Sequence, residues 1–455
     1  MPVIIALSLW LSLMGPLRCE KPQQSPTSHY FVLDNGLKVV VLRHHRSPVI
    51  GHFLFYGKGS ADDPYQKTGL AHYVEHMMFK GPKGSPSRDI NKIIEGIGGR
   101  QNAVTTYDYT MYYNIVPATH IEKVMALEAG RMKHLTVRES DAKPELNVIF
   151  EERRMRFENN PMGEFFTLLL SHFYQYHPYR NPPIGWEGDL AHLTAKDVQT
   201  FYNEAYTPDN ACLILVGDIT FEKAKELIDT YYKPIEKKSV MPFKRCQEPK
   251  RSKTSKTLTL ASSFVRHPLW VKAYPLSTLP TNLVKRTALL SLIRHILTVD
   301  PWGLLYKSLV SDEKIATDMG IEFMNPARDE NIVFFVAEPA PHVNLKTLED
   351  KINFYLEKIC HKGITQEDLD RAKHQLKIYR AYEEDNAMGP STFFGEHMIM
   401  GASFEDIEKR YDFLDDLTLE EVNTTLKSLE NETYHLTGYL LPDDKKNNDK
   451  NEGRS

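Results

Sequence analysis

The sequence predicts an α+β protein built as two related halves, and three observations predict it. A chain of 455 residues is more than one ordinary hydrophobic core supports. β-rich and helix-periodic stretches alternate on both sides of a polar segment at residues 236–256. The two halves also end alike. Leu193-Thr194 opens a helix (LTAKDV) that leads to Pro208-Asp209-Asn210 and an apolar strand at 211–217. Leu417-Thr418 opens another (LTLEEV), followed by Asn431-Glu432-Thr433 and a strand at 434–441. Thr with an acid three residues later is a common helix cap, but its recurrence at the end of each half marks a duplicated domain.

Residues 3–15 (VIIALSLWLSLMG) form an apolar run, followed by Pro16 and a polar stretch. The run has the length of a signal-peptide core and is shorter than the roughly 20 apolar residues a membrane span needs. Residues 1–19 are therefore expected to be a signal peptide directing the chain to a secreted or periplasmic location. No stable membrane span should remain after its removal, and an uncleaved N-terminal anchor is the alternative. The first domain is expected over residues 29–235. It opens with a hairpin: YFVL at 30–33, the turn Asp34-Asn35-Gly36, then LKVVVL at 37–42. The segment 236–256, rich in Lys, Arg, Ser and Pro, reads as a linker. A second domain follows over 257–442, and the remainder (443–455) is expected to be a disordered tail.

Composition narrows the function. Sixty acidic residues against 56 basic ones give a net charge of -4, and no long basic stripe is present, so nucleic-acid binding is not indicated. The four cysteines (Cys19, Cys212, Cys246, Cys360) are widely spaced, which rules out a cysteine zinc site by spacing and argues against a disulfide framework. They are expected to be small buried hydrophobes, Cys212 above all.

One pattern carries chemistry. In His72-Tyr73-Val74-Glu75-His76 the two imidazoles stand four residues apart and project from one face of a helix, so both can reach a single ion. Glu75 lies beside the second His, close enough to handle a proton without occupying a coordination position. Thr68 and Gly81 are the expected start and stop of that helix. A catalytic zinc site needs a third protein ligand. Downstream, a second helix-like stretch carries Glu145 and Glu152 two turns apart on one face, with Glu151 turned about 100° away toward solvent or an ion pair.

The HxxEH arrangement, the inverted form of the thermolysin-type motif, is the signature of the inverzincins. The wider match resembles the pitrilysin family, in particular its short-chain branch, the bacterial relatives of the mitochondrial processing peptidases. It runs through GLAHYVEHMMFKG (69–81), GGRQNAVTTYDYTMYY (98–113) and Glu145-x6-Glu152, about 75 residues past the second His. This resemblance implies one Zn2+ per chain on His72, His76 and Glu152, with Glu75 as catalytic base and Glu145 as a supporting acid. It implies two homologous α+β halves, each an antiparallel sheet with helices on one face, closing like a clam shell. It also implies an extended peptide laid as an added strand along the edge that carries Asn102 and Ala103. Tyr112 and Tyr113 are open between a substrate role and an ordinary strand.

The second half has no HxxEH, and its corresponding helix (283–297) holds only His295, expected to be packed or exposed rather than a ligand. Single-chain relatives usually carry an Arg and a Tyr, seven apart, to grip substrate; here Val310 and Thr317 occupy those places. The resemblance then implies a heterodimer with a metal-free homologous subunit, or a homodimer. The function expected is a zinc endopeptidase acting on short or unfolded peptides inside an enclosed chamber. The alternative is a non-catalytic scaffold or assembly subunit of the same family. Mitochondrial presequence processing fits poorly, because the N-terminus is apolar rather than Arg-rich and amphipathic.

Overall fold

The computed structural model describes residues 28–443, except 45–46, 81–89, 239–244, 252–253, 300, 384–387 and 431. The expected signal segment, Cys19, Gly81 and the tail beyond 443 lie outside the described residues. Two sheets form. The first contains β1 (Ser28–Val32), β2 (Lys38–Arg43), β3 (Val49–Tyr56), β4 (Arg100–Thr105), β5 (Thr110–Pro117) and β6 (Ala211–Gly217), in the order β1-β2-β6-β3-β5-β4. The second contains β7 (Lys256–Ser262), β8 (Leu269–Leu276), β9 (Ala316–Phe323), β10 (Asn331–Pro339) and β11 (Leu436–Pro442), in the order β7-β11-β8-β10-β9.

The duplication read from the sequence is visible in this topology. Setting β1 aside, β2-β6-β3-β5-β4 and β7-β11-β8-β10-β9 are the same arrangement. In each half the last strand inserts beside the first, parallel to it and antiparallel to the next. The sheets are thus antiparallel except for that one pair, rather than antiparallel throughout as the resemblance implied. The late insertion is the cause: a strand arriving at the end of a half fills the slot left between its first two strands. The repeated Thr caps also form. The Thr194 hydroxyl accepts from the Asp197 N–H, and the Thr418 hydroxyl from the Glu421 N–H, while each acid accepts the Thr N–H in return.

The opening hairpin forms at its Asp-Asn-Gly turn. Gly36 sits at φ +90, and a Cβ there would lie 2.6 Å from that of Asp209, so both conformation and space require glycine. Asn35 is buried and donates its side-chain amide to the carbonyls of Tyr232 and Ile235, tying the hairpin to the end of the half.

The helices do not stay with their own halves. Helix Pro161–Phe173 packs Phe165, Leu169 and Phe173 against Leu269, Val271, Leu436 and Leu440 of the second sheet. Helix Met388–Ile399 sends Phe394 and Met398 against Val40, Phe53, Phe55 and Ile214 of the first. Each half therefore completes the other's core, and the exchange joins the two α+β halves. Gly395 allows the close approach, since a Cβ would come 2.0 Å from the Phe55 ring.

The segment read as a linker is anchored where it is described. Glu248 accepts N–H bonds from Gln175, Tyr176 and His177 at 2.7, 3.0 and 3.0 Å, and Arg251 pairs with Glu330. Cys212 and Cys360 are buried, as expected of small hydrophobes, but Cys246 is exposed. Among the described residues no helix is long and apolar enough to cross a membrane.

Candidate metal centre

The HYVEH segment lies in helix Leu70–Met78, which packs against helix Glu139–Arg156. The Tyr73 hydroxyl donates to the carbonyl of Ala142 at 2.6 Å, fastening one helix to the other. The helix does not begin as expected. Thr68 does not cap it; its hydroxyl donates to Asp189 and accepts from the Trp186 N–H. Gly69, in the left-handed region at φ +88, is the residue at the cap, and the buried Asp63 carboxylate reaches in to accept the N–H groups of Gly69 and Ala71 at 2.7 and 2.8 Å. Burial pushes the Asp63 carboxyl well above the usual carboxylate range against those bonds. The helix ends at Met78, with the Phe79 N–H bonded back to His76, before Gly81 is reached.

His72, His76 and Glu152 come together across the two helices, with one ligand atom from each inside a 4.8 Å group. Oε2 of Glu152 lies 3.2 Å from Nε2 of His76 and 3.6 Å from Nε2 of His72. A tetrahedral ion with bonds of about 2.0–2.1 Å requires ligand-to-ligand edges of roughly 3.3–3.4 Å, so this donor set fits zinc. Charge agrees. Burial, with His76 beside it, lowers His72 to about 3 and keeps that imidazole neutral. At His76 burial acts downward, but the carboxylates of Glu145 and Glu152 overcome it and raise the ring to about 9. Glu152, drawn down by the two imidazoles and Arg156 against its own burial, falls to about 2. A proton thus sits between anionic partners where a divalent cation would replace it.

The remaining predicted residues surround that group. Oε1 of Glu145 is 2.9 Å from Nδ1 of His76, the ring nitrogen facing away from Glu152. Burial raises the pKa of Glu75, and its Oε2 accepts the Thr105 hydroxyl at 2.5 Å. Thr105 closes β4, beyond which no further strand lies among the described residues, so Asn102 and Ala103 are on the outermost described strand of the first sheet, the strand that ends at Thr105 beside Glu75. Tyr112 is buried, its hydroxyl 2.8 Å from that of Tyr206, and Tyr113 stacks on Phe53; both pack as ordinary strand residues. Glu151 is exposed and pairs with Arg154, as its angle on the helix required.

Residues not singled out from the sequence complete the arrangement. Lys80 pairs with Glu145 and Arg156 with Glu152. Asp63, the helix cap, lies outside any recognisable cap spacing, and Thr105 was visible only as part of the longer matched segment. In the second half, Val310 packs against that half's core and the Thr317 hydroxyl faces the Glu338 carbonyl at 3.5 Å. His295 is half-buried beside Tyr379.

Comparison with known proteins places this geometry. Residues 38–185 match the model described as Insulinase (Peptidase family M16), and residues 192–376 match the Peptidase M16 inactive domain. The zinc protease PqqE of Helicobacter pylori is 28% identical over 421 residues, which cover 92% of this chain and 93% of that protein. The crystal structure of a protease from Helicobacter pylori superimposes with a TM-score of 0.83 at 26% identity, covering 92% of this chain and all of that one. The first half of the periplasmic protease PqqL from Escherichia coli shares the fold, with a TM-score of 0.76 at 21% identity over 92% of this chain and 93% of that one. One family model matches the half that holds the imidazoles and a second matches the other half, and the likeness to a bacterial zinc protease runs nearly end to end. The chain belongs to the M16 (insulinase/pitrilysin) family of zinc proteases, in its bacterial short-chain form.

Proposed function

We propose that this chain is a zinc-dependent endopeptidase that cuts short or unfolded peptides laid along the free edge of β4 inside an enclosed chamber, with His72, His76 and Glu152 holding one zinc. The observation that carries the reading is the position of Glu75. It lies on the ligand helix, is held by Thr105 from the end of the edge strand, and takes no part in the three-ligand group.

His72, His76 and Glu152 would hold the zinc, which when bound would lower the pKa of a water toward about 7 and polarise a carbonyl. The rest is done by the chain. Glu75, with its pKa raised by burial, accepts a proton and returns it to the leaving amine. Thr105 fixes the direction of that carboxylate, and Glu145 holds His76 by the ring nitrogen turned away from Glu152. An extended peptide would pair along the edge of β4 that β5 does not use, on the strand carrying Asn102 and Ala103, and would displace the Asn102 Oδ1 that accepts the Ala103 N–H at 2.9 Å. Selection would then depend on extended shape as much as on side chains.

Two further parts of the reading rest on the sequence. Export to the periplasm follows from the apolar residues 3–15. A heterodimer with a metal-free homologous subunit, or failing that a homodimer, follows from Val310 and Thr317 at places where an Arg and a Tyr would grip substrate. Full activity from a strictly monomeric preparation would refute the dimer.

The deciding experiment is hydrolysis of a quenched, unstructured peptide with metal analysis, for wild type and Glu75→Gln, each alone and with a candidate partner. One zinc per chain in both proteins, with hydrolysis reduced at least about 100-fold by the substitution, is the expected result. Bound zinc with no hydrolysis in any pairing would favour the scaffold reading.

A further inference from the structure

A buried charge cluster outside the metal centre gathers around Arg245, in the segment whose composition reads as a linker. Arg245 is 6% exposed. Its Nε and Nη2 fork onto the two oxygens of Asp62 at 3.3 and 2.9 Å. Nη1 pairs with Asp108 and, at 2.9 Å, with Asp329. Three carboxylates from three segments thus converge on one guanidinium, with Lys58 Nζ 3.7 Å from Asp62 as additional positive charge. Only a planar, multiply donating cation serves this geometry, because an ammonium cannot present a fork and a third arm together.

What those carboxylates are attached to gives the cluster its meaning. Asp62 ends the turn Ser60–Asp62, and the next residue is Asp63, whose carboxylate caps the helix carrying His72, Glu75 and His76. The same turn is pinned to the β4–β5 hairpin, since the N–H groups of Ser60 and Ala61 bond the carbonyls of Thr106 and Tyr107 at 2.9 Å each. Asp108 lies in the hairpin turn itself, three residues from the Thr105 that holds Glu75. Asp108 also accepts the Tyr179 hydroxyl at 2.6 Å and the Arg328 N–H at 3.0 Å. Asp329 belongs to the second half, just before β10.

We infer that Arg245 is a positioning residue: it locks the cap of the ligand helix, the hairpin carrying Thr105 and the second half in one register. The edge of β4 and the Glu75 carboxylate are thereby held relative to each other from outside the metal centre. The kinetic part of this inference rests on the peptidase reading above; the conformational part does not.

The test uses the full-length chain with Arg245→Gln and Asp108→Asn. Zinc content, hydrogen–deuterium exchange by segment, and kcat and KM on the quenched peptide are measured for each. Arg245→Gln should keep its zinc, and exchange should quicken about tenfold or more in segments 60–71 and 100–110 while the second sheet stays protected. kcat should fall about tenfold or more, through loss of alignment. Asp108→Asn leaves the fork on Asp62 in place and removes one of the clustered negative charges. It should loosen 100–110 alone and raise KM more than it lowers kcat, and it carries the test if the Arg variant does not fold. Wild-type exchange in both segments in a folded variant would overturn the inference, and so would faster exchange spread evenly over both sheets. Localised loosening in a protein whose wild type cuts no peptide, alone or in any pairing, would count against the peptidase reading and leave the lock standing.

Discussion

Oε1 of Glu145 lies 2.9 Å from Nδ1 of His76, and Oε2 of Glu152 faces the other nitrogen of that ring at 3.2 Å. The two acids are seven residues apart on one helix face, so under the proposed reading a single helix would both supply a ligand atom and orient the ring of the neighbouring ligand. Against its burial, the hydrogen bond to His76 and then the pairing with Lys80, in the turn after the helix that carries His76, hold the Glu145 carboxyl below its usual range.

Glu145→Gln should therefore weaken zinc binding about 10- to 100-fold, the usual consequence of removing the partner of a ligand imidazole. Competition with a calibrated chelator measures this directly. Unchanged affinity and unchanged activity together would remove Glu145 from the site's machinery.

The cap at Asp63 gives a second prediction. One buried carboxylate accepts two N–H groups at the start of the ligand helix, and Ala in its place leaves both without a partner. Loss of a helix cap costs about 0.5–2 kcal/mol. Thermal unfolding of Asp63→Ala with zinc bound should show a lower Tm, and zinc should be stripped at lower chelator concentration. Thr68→Val, by contrast, should leave zinc affinity near wild type, because Thr68 contacts Asp189 and Trp186 rather than the helix start.

The exchanged helices predict a size limit at Gly395. A Cβ placed 2.0 Å from the Phe55 ring forces helix Met388–Ile399 away from β3. Overpacking of this kind costs roughly 1–3 kcal/mol. Gly395→Ala should lower the unfolding free energy by that amount, read as a lower denaturant midpoint at unchanged slope, while zinc content stays at wild-type level. The exposed Gly401, where an added Cβ meets nothing but φ is +103, should show only the smaller penalty of its backbone conformation.

Glu396, on the same exchanged helix, predicts a pH dependence. Burial raises its carboxyl to about 7, against the opposing effect of the Tyr109 hydroxyl that it accepts. Between about pH 4.5 and 7 the folded state keeps a proton that the unfolded state has released, so this group's contribution is complete below 4.5 and is lost as pH rises through 7. A shift of that size is worth at most about 3 kcal/mol, and less here because the residue is only part-buried. His52 and His397, buried and lowered to about 4, act in the opposite sense over an overlapping range. The measurement is therefore the difference in unfolding free energy between wild type and Glu396→Gln at pH 5 and pH 7.5. The difference should shrink or reverse at the higher pH, and a constant difference would contradict the assignment.

Much of the site was legible in the sequence because its spacing is local. His72 and His76 share a helix face by the 3.6-residue period alone, and Glu145 and Glu152 do so again two turns apart. Asn102 and Ala103 could be placed on a strand, and the outermost position of that strand emerges only from the order of the sheet. Thr68 was misread for a related reason: a Thr before an apolar run has cap chemistry, but its hydroxyl was taken by Asp189, more than a hundred residues away, and Asp63 took the helix start.

The sequence by itself determined the duplication, the two helices that carry the candidate ligands and the chemistry of their side chains, because each is written in short-range periodicity and residue type. Only the tertiary structure decided which acids meet which imidazoles, that each half borrows a helix from the other, and that a linker arginine is buried among three carboxylates. Those facts depend on contacts between residues tens to hundreds of positions apart, chosen by packing and charge compensation across the whole chain, and no local pattern encodes them.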